Sequence, residues 1–481
     1  MTTHLEALEI WNNVPWKKFY RIQKNIQEEI YKASQDNDVN KIKKLQEILI
    51  VSESSRYLAV KQVTEMDTFK NVPGIDQVRK LTALDKIYLA NSLENLKEWQ
   101  YQPLRDLFIL QVNGKRKLVS LSTIKDRAVE CLIKFALEPV YEAYASVGSY
   151  GFRVMQNPWD LQKILYESFK VLSTNRSKQI LEVDLHKVLE DVHYMAIINK
   201  IILPYNAKSI LLSGLRAGIL QDYIRDCNYT YRISSISPLI VNILLNGIED
   251  ITNANNSSPV NYSKNRQPLR YIVQNQRGFR YGHKLFFIMQ PYEKPENLVF
   301  RLNTFLSIKG LDPEKINFSY TPIINGFNFL DWHFKVKAKN NKFVCYPSKD
   351  SCIRIKSTIK NIMRNTKYKL EDRLSLVKIE YVKWRIYNQY CDMRQVQTRL
   401  WYMSKWTYKY GKKLISKQKR ETRAASKEKL LLRVKDIFNG HTYKINGYQP
   451  KDICVFPYSI KIQKDIESLR SNIKKLKKNK V

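Results

Sequence analysis

The hydrophobic period of this chain changes along its length, and that change limits the folds open to it. Phe19, Ile22, Ile26 and Ile30 recur at three- and four-residue steps. After "SQDND", Val39, Ile42, Leu45 and Leu49 do the same. The spacing predicts two helices within 16–62, each turning one stripe to a core. "VPGID" at 72–76 marks a turn into a new unit. From 103 onward strands mix with helices. "LFILQVNGKRKLVSL" places apolar runs on both sides of Asn113-Gly114, a hairpin signal. "ILEVDL" (180–185) reads as a short buried strand carrying Asp184 at its end, and "KLFFIM" as a central strand. "ISPLIVNILLNGIEDI" (236–251) predicts an amphipathic helix opened by Ser237-Pro238. "SSPVNYSKNRQP" (257–268) reads as a polar loop, and "GFNFLDWHFKVKAKNNKFVCY" alternates as a further hairpin. Beyond Pro347 helical, basic segments take over. The expected class is α/β (α+β), with a helical domain behind it.

Charge narrows the partners. Lysine and arginine number 82 against 45 acids, a formal +37 over 481 residues. Such an excess suits a polyanion, and nucleic acid is favoured over an acidic membrane surface. No apolar run approaches the ~18–20 residues a membrane span needs, so no membrane partner is expected. The cysteines at 131, 227, 345, 352, 391 and 454 form no Cys-x-x-Cys pair. They read as reduced thiols rather than a disulfide framework or zinc site. The opening "MTTHLEALEIW" lacks an apolar h-region and does not read as a secretory or transit peptide. Abundant Lys, Ile, Asn and Tyr with 14 glycines and 16 prolines follow AT-rich codon usage, which points to an organellar genome.

Read in order, several segments resemble the group II intron maturases, proteins built on a reverse transcriptase fold. "WKKFYRIQKNIQEEIYKAS", "LQEILIVSESSRYLAVKQVT" and "PGID" are similar to that family's N-terminal extension and first finger block. "DRA", "ALEP" and "SYGFR" follow within "NGKRKLVSLSTIKDRAVECLIKFALEPVYEAYASVGSYGFR". "SPLIVNILLNGIE", "GLDPEKINF", "NGFNFLDWHF" and "VKWRIYNQYCDM" come next in the family's order, over roughly 11–410. The resemblance implies right-hand fingers and palm with an α-helical thumb. It divides the chain into an N-terminal helical extension (1–75), a fingers/palm region (76–345), a thumb or maturase X domain (346–411) and a basic C-terminal segment (412–481). In that last segment no cysteine pairs accompany His441, so the family's HNH endonuclease is expected to be missing.

The same resemblance gives "YGHK" (281–284) its meaning. The family usually carries Tyr-Ala-Asp-Asp there, and its two aspartates, with one on an earlier strand, hold magnesium ions for polymerisation. Magnesium takes oxygen ligands, mostly carboxylates. His283 and Lys284 supply none, and Asp184 is the sole match to the metal carboxylates. The family's Pro-Gln-Gly-Gly turn is matched by "RISS" (232–235). The resemblance therefore implies a maturase without polymerase activity, no catalytic residues, no metal and no cofactor, and Asp184 reads as a strand-end acid paired with a cation such as Lys284.

For RNA contact the resemblance marks Lys115 and Arg116 at the hairpin tip, Arg153 in "SYGFR" and Lys315 in "DPEKINF". Each reads equally as structural: a solvated hairpin tip, a core-edge arginine, a turn lysine. Between Lys405 and Lys435 twelve basic residues face two glutamates. Within that run Lys412, Lys413, Lys417, Lys419, Arg420 and Arg423 adjoin the aromatic segment and are expected on the RNA backbone. Trp384, Tyr387, Tyr390, Trp401 and Trp406 are expected mostly in the thumb core, with one or two left to stack on bases. The expected partner is intron-containing precursor RNA, with other splicing factors alongside. The expected place is a plastid, as for the maturase-like proteins of euglenids that the degenerate site resembles, with a mitochondrion or bacterial cytoplasm as alternatives. Two other functions stay open at this point: a reverse transcriptase with an unorthodox metal set, and an RNA-binding relic without preference among RNAs.

Overall fold

A computed structural model describes residues 4–439 apart from 68, 98, 111–115, 155, 170–176, 222–233, 253–276, 339–340 and 417–422. The Asn113-Gly114 turn, Arg232 and Ile233 of "RISS", the 257–268 stretch and everything after Asn439, His441 included, lie outside the described residues.

Both predicted N-terminal helices form, and 16–62 holds a third as well, because the chain breaks at Ser52 and a new helix starts there. α1 (His4–Asn12) leads to α2 (Trp16–Gln35), α3 (Val39–Val51), α4 (Glu53–Lys61) and α5 (Ala83–Ser92). Asp38 caps α3 through the backbone N–H of Lys41, and Ser52 caps α4 through that of Ser55. The long helix α6 (Ile124–Tyr144) follows an antiparallel pair, β1 (Arg105–Leu110) and β2 (Arg116–Leu121). That pair is the hairpin the sequence predicts. The chain continues through α7 (Pro158–Phe169), β3 (Gln179–Asp184), α8 (His186–Glu190), α9 (Tyr194–Lys200), α10 (Tyr205–Ala217) and α11 (Ser237–Leu245).

One boundary differs from expectation. The helix opened by Ser237-Pro238 stops at Leu245, well short of 251. Gly247 takes φ +91, outside the right-handed helical region, and a short 3₁₀ turn follows at Ile248–Asp250. Nor is α11 amphipathic: all but one of its residues are buried.

Next come β4 (Gly278–Tyr281), β5 (Lys284–Met289), α12 (Pro295–Ile308), β6 (Asn317–Pro322), β7 (Phe327–Phe329), β8 (Trp332–Val336) and β9 (Phe343–Pro347). β4, β5, β3 and β6 form one four-stranded sheet in that order, so "KLFFIM" is interior as predicted. β7, β8 and β9 form a separate three-stranded sheet. After Pro347 the described chain is helical: α13 (Lys349–Arg364), α14 (Leu370–Tyr387), α15 (Gln397–Ile415) and α16 (Arg423–Asn439).

The four-stranded sheet separates two apolar cores because its side chains alternate. Leu181, Val183, Leu285, Phe287 and Met289 join the core built with α2, α3, α4, α6 and α11. Ile180, Phe279, Phe286 and Ile288 point the other way. They enter a core shared with β7–β9 and α13–α16, where Phe286 meets Phe327 and Phe329 at ring-centroid distances of 5.2 and 4.8 Å. None of the described helices is long and apolar enough to cross a membrane.

Candidate functional site

The end of the four-stranded sheet that carries Asp184 is the part with chemistry to examine. Tyr281 pairs with Lys284 across β4 and β5, leaving Gly282-His283 as a two-residue loop with Gly282 at φ +64. Asp184 stands directly across the ladder from Lys284 on one side and Asn317 on the other. Its carboxylate accepts from the His186 backbone N–H at 2.9 Å and lies 3.9 Å from His283 Nε2. His283 is buried beside the His186 ring, centroids 5.6 Å apart, and its carbonyl accepts from the Leu185 N–H at 3.0 Å. Two residues back, burial pushes the Glu182 carboxyl up to about 7, against the pull of the Lys284 ammonium.

This donor set does not suit two magnesium ions. The loop supplies an imidazole and the strand opposite an ammonium, where hard cations need anionic oxygens. Among the described residues no three His, Cys, Asp or Glu side chains are gathered so as to hold a metal. Asp184 itself is half-exposed, its side chain 45% accessible.

Behind the loop is a buried polar frame that sequence reasoning missed. Arg280 is fully buried. Its guanidinium donates to Glu249, to Asn242 Oδ1 at 2.7 Å, to Ser149 Oγ at 2.9 Å and to the Gly282 carbonyl at 3.1 Å. Asn242 in turn donates to the Gly151 carbonyl at 2.7 Å. The "SYGFR" segment is laced to β4 by Tyr150 N–H to the Arg280 carbonyl (2.9 Å) and Arg280 N–H to the Gly148 carbonyl (2.8 Å). A Cβ on Gly151 would sit 2.4 Å from the backbone N of Gly282. Gly151→Ala is therefore expected to lower stability by about 1–3 kcal/mol through overpacking. A thermal melt within a degree of the parent would show that the loop is not clamped in this way. The one legible trace of the frame was an arginine between aromatic residues on a strand.

Arg153, expected at RNA, is a correction. Its side chain is wholly inaccessible and forks onto the equally buried Glu142 at 2.7 Å. Its remaining donors reach the Ser146 and Ser149 carbonyls, both at 2.8 Å. An arginine so enclosed braces the segment and has no face to offer a phosphate.

The other expected contacts are dispersed. Arg116 is exposed at the start of β2, and Lys115 lies outside the described residues. Lys315 is half-exposed and pairs with Asp191, with Asp312 at 3.8 Å. Lys412 and Lys413 are exposed in the last turn of α15. Lys417, Lys419 and Arg420 are not among the described residues, and Arg423 is described only as the first backbone position of α16. Trp384 and Tyr387 are spent on packing: Trp384 Nε1 donates to Ser351 Oγ at 3.0 Å, and Tyr387 stacks on Trp332 at 4.8 Å. Tyr390 edges against Trp159 at 6.4 Å, and Trp406 packs on the second core. Trp401 is 54% exposed with the Lys405 ammonium 4.4 Å above its ring, and Tyr402 beside it is 58% exposed. Tyr402 and Lys405 were not singled out in the sequence. Trp401, Lys405 and Lys412 fall four and seven residues apart, on one face of α15.

Comparison with known proteins is consistent along the chain. Residues 11–93, covering the last two residues of α1 and all of α2–α5, match the family described as the N-terminal domain of reverse transcriptase. Maturase-like protein 1 of Euglena gracilis is 27% identical over 401 residues, 83% of this chain and 81% of its own length. Maturase-like protein 1 of Euglena longa is 27% identical over 430 residues, 89% of this chain and 88% of its own. Group II intron-encoded protein LtrA of Lactococcus lactis subsp. cremoris is 23% identical over 165 residues, 33% of this chain and 27% of its own.

Proposed function

We propose that this chain, a relative of the group II intron maturases, is an RNA-binding maturase that assists splicing of group II or group II-like introns without polymerising nucleotides. The observation that carries the reading is the likeness, over more than four-fifths of the chain, to proteins named maturase-like. In such a role the RNA performs the transesterifications and the protein holds the folded intron. A charge of +37 and an exposed aromatic–cation face on α15 suit that task.

In this reading residues 1–75 are the N-terminal extension, 76–345 the fingers and palm, 346–411 the thumb and 412–481 a basic extension. Asp184 is the remnant of the metal carboxylates, with His283 and Lys284 where the family places aspartates. The Arg116 and Lys115 hairpin tip, Lys315, and the basic residues 412–423 supply phosphate contacts, with Trp401 and Tyr402 as stacking platforms. The Euglena relatives and the AT-rich residue usage support a plastid as the place of action.

The deciding experiment purifies the tagged protein from its own compartment and sequences the RNA that accompanies it. Enrichment of a few unspliced precursors at their introns is the expected result, and a flat profile across transcripts would leave only a basic RNA-binding relic. Purified protein is also expected to give no magnesium- or manganese-dependent primer extension, and Asp184→Ala to leave intron affinity within about twofold. Extension that Asp184→Ala abolishes would restore the polymerase reading.

A further inference from the structure

Two thiols from separate parts of the chain meet where the three-stranded sheet joins the C-terminal helices. Cys345 lies on β9 and Cys391 in the turn after α14, 46 positions on, and their sulfurs are 3.8 Å apart. The backbones are held together as well, since the Asp392 N–H donates to the Cys345 carbonyl at 2.7 Å. β9 is an edge strand of its sheet, and this bond ties it to the turn between α14 and α15.

A third element supplies a donor to both sulfurs. The Gln162 side-chain amide on α7 stands 2.8 Å from Cys345 Sγ and 3.5 Å from Cys391 Sγ. The Cys391 thiol donates in turn to Asn388 Oδ1 at 3.6 Å. Burial pushes the Cys345 thiol well above its ordinary value, so its resting form is protonated. Enclosed thiols are usually inert packing. Here a second sulfur and an N–H that favours the anion already stand within reach. Sulfurs of a disulfide lie about 2.05 Å apart on close backbones. Rotation about the two Cα–Cβ bonds can close the gap while the Asp392 hydrogen bond keeps the backbones adjacent.

We propose that Cys345 and Cys391 are an oxidisable pair that hydrogen peroxide converts to a disulfide, fastening the three-stranded sheet to the C-terminal helices. Cys345 takes the first step, being half-buried where Cys391 is buried, and nearer the Gln162 donor. Its thiolate attacks one peroxide oxygen and the O–O bond breaks, giving a sulfenic acid and a hydroxide that leaves as water with the thiol proton. The Cys391 sulfur then displaces the sulfenic hydroxyl, which departs with the second thiol proton as another water. Two electrons pass from the two sulfurs to the peroxide oxygens. A thiol reductant reverses the bond by exchange and is itself left as a disulfide. Bond formation does not depend on the RNA that the protein binds.

The test treats the reduced full chain with hydrogen peroxide, alkylates it and digests it with trypsin without reduction. Peptides 343–349 and 386–394 should appear as one cross-linked species that dithiothreitol splits. The oxidised protein should melt about 3 °C or more above the reduced one, because the bond closes a long loop in the unfolded chain. In Cys391→Ser, dimedone should trap a persistent sulfenic acid on Cys345, and Cys345→Ser should give less than about a fifth of that label on Cys391. Cys352, buried on α13 beside Arg399, is the rival partner, and Cys352→Ala should leave the cross-link yield within about twofold. Separate sulfinic acids without a cross-link, a bond from Cys391 to Cys352, or a bond only between molecules overturns the proposal. So does an oxidised protein that melts no higher than the reduced one. Equal dimedone labelling of the two single variants overturns the assignment of the first step to Cys345.

Discussion

Replacing Arg280 with methionine should lower stability by about 3–5 kcal/mol, the usual cost of stranding one member of a buried ion pair. Arg280 and Glu249 are both wholly inaccessible, and methionine would leave the Glu249 carboxylate without its guanidinium. Asn242, Ser149 and the Gly282 carbonyl would lose partners in the same step. Denaturant unfolding followed by tryptophan fluorescence measures the loss. A second variant separates the ion pair from simple crowding: Arg280→Met with Glu249→Leu removes both charges and should recover at least half of the stability. If Arg280→Met alone unfolds within 1 kcal/mol of the parent, the frame behind the loop does not hold it.

The other large effect is expected on RNA affinity. Changing Lys412, Lys413, Lys417, Lys419, Arg420 and Arg423 to glutamine removes six charges close together in sequence. At about 0.5 kcal/mol for each charge, intron affinity should fall by about 3 kcal/mol, roughly a hundredfold. The slope of log affinity against log salt should flatten by up to about 4, since each phosphate contact on single strands contributes about 0.7. Folding should be unaffected, because Lys412 and Lys413 are exposed and the core side of α15 is formed by Leu400, Met403, Thr407 and Ile415. Filter binding over a salt series checks both numbers. A folded variant with unchanged affinity would remove this segment from the RNA contact surface.

The sequence was most informative where a pattern is local. Apolar runs on both sides of an Asn-Gly pair pointed to the β1–β2 pair, and short apolar runs pointed to β3 and the interior strand β5. Local signals fail where a distant partner decides. Arg153 reads equally as an RNA contact and as a core-edge arginine until Glu142, eleven positions earlier on α6, is brought against it. Arg280 and Glu249 lie 31 residues apart, with no periodicity connecting them. Trp401 and Trp406 share one helix and one residue type. Only the direction in which α15 packs leaves the first exposed and sets the second against the core. The end of α11 was misjudged because apolar residues continue past Gly247, while the backbone there has already left the helix. The meaning of "YGHK" was visible only by likeness to a family, since spacing alone says nothing of metals.

The sheet shared by two cores also has a consequence for synthesis. One face of β5 closes over helices that have already been made, but Phe286 and Ile288 belong to the core completed by Val434 and Ile437. A ribosome adds those residues roughly 150 positions later, about 8–30 s at ordinary rates. During that interval the second core has α7 and then β7–β9 on this sheet face but lacks its last helices. A frameshift or premature stop between β9 and α16 would leave that core permanently without its closing helices.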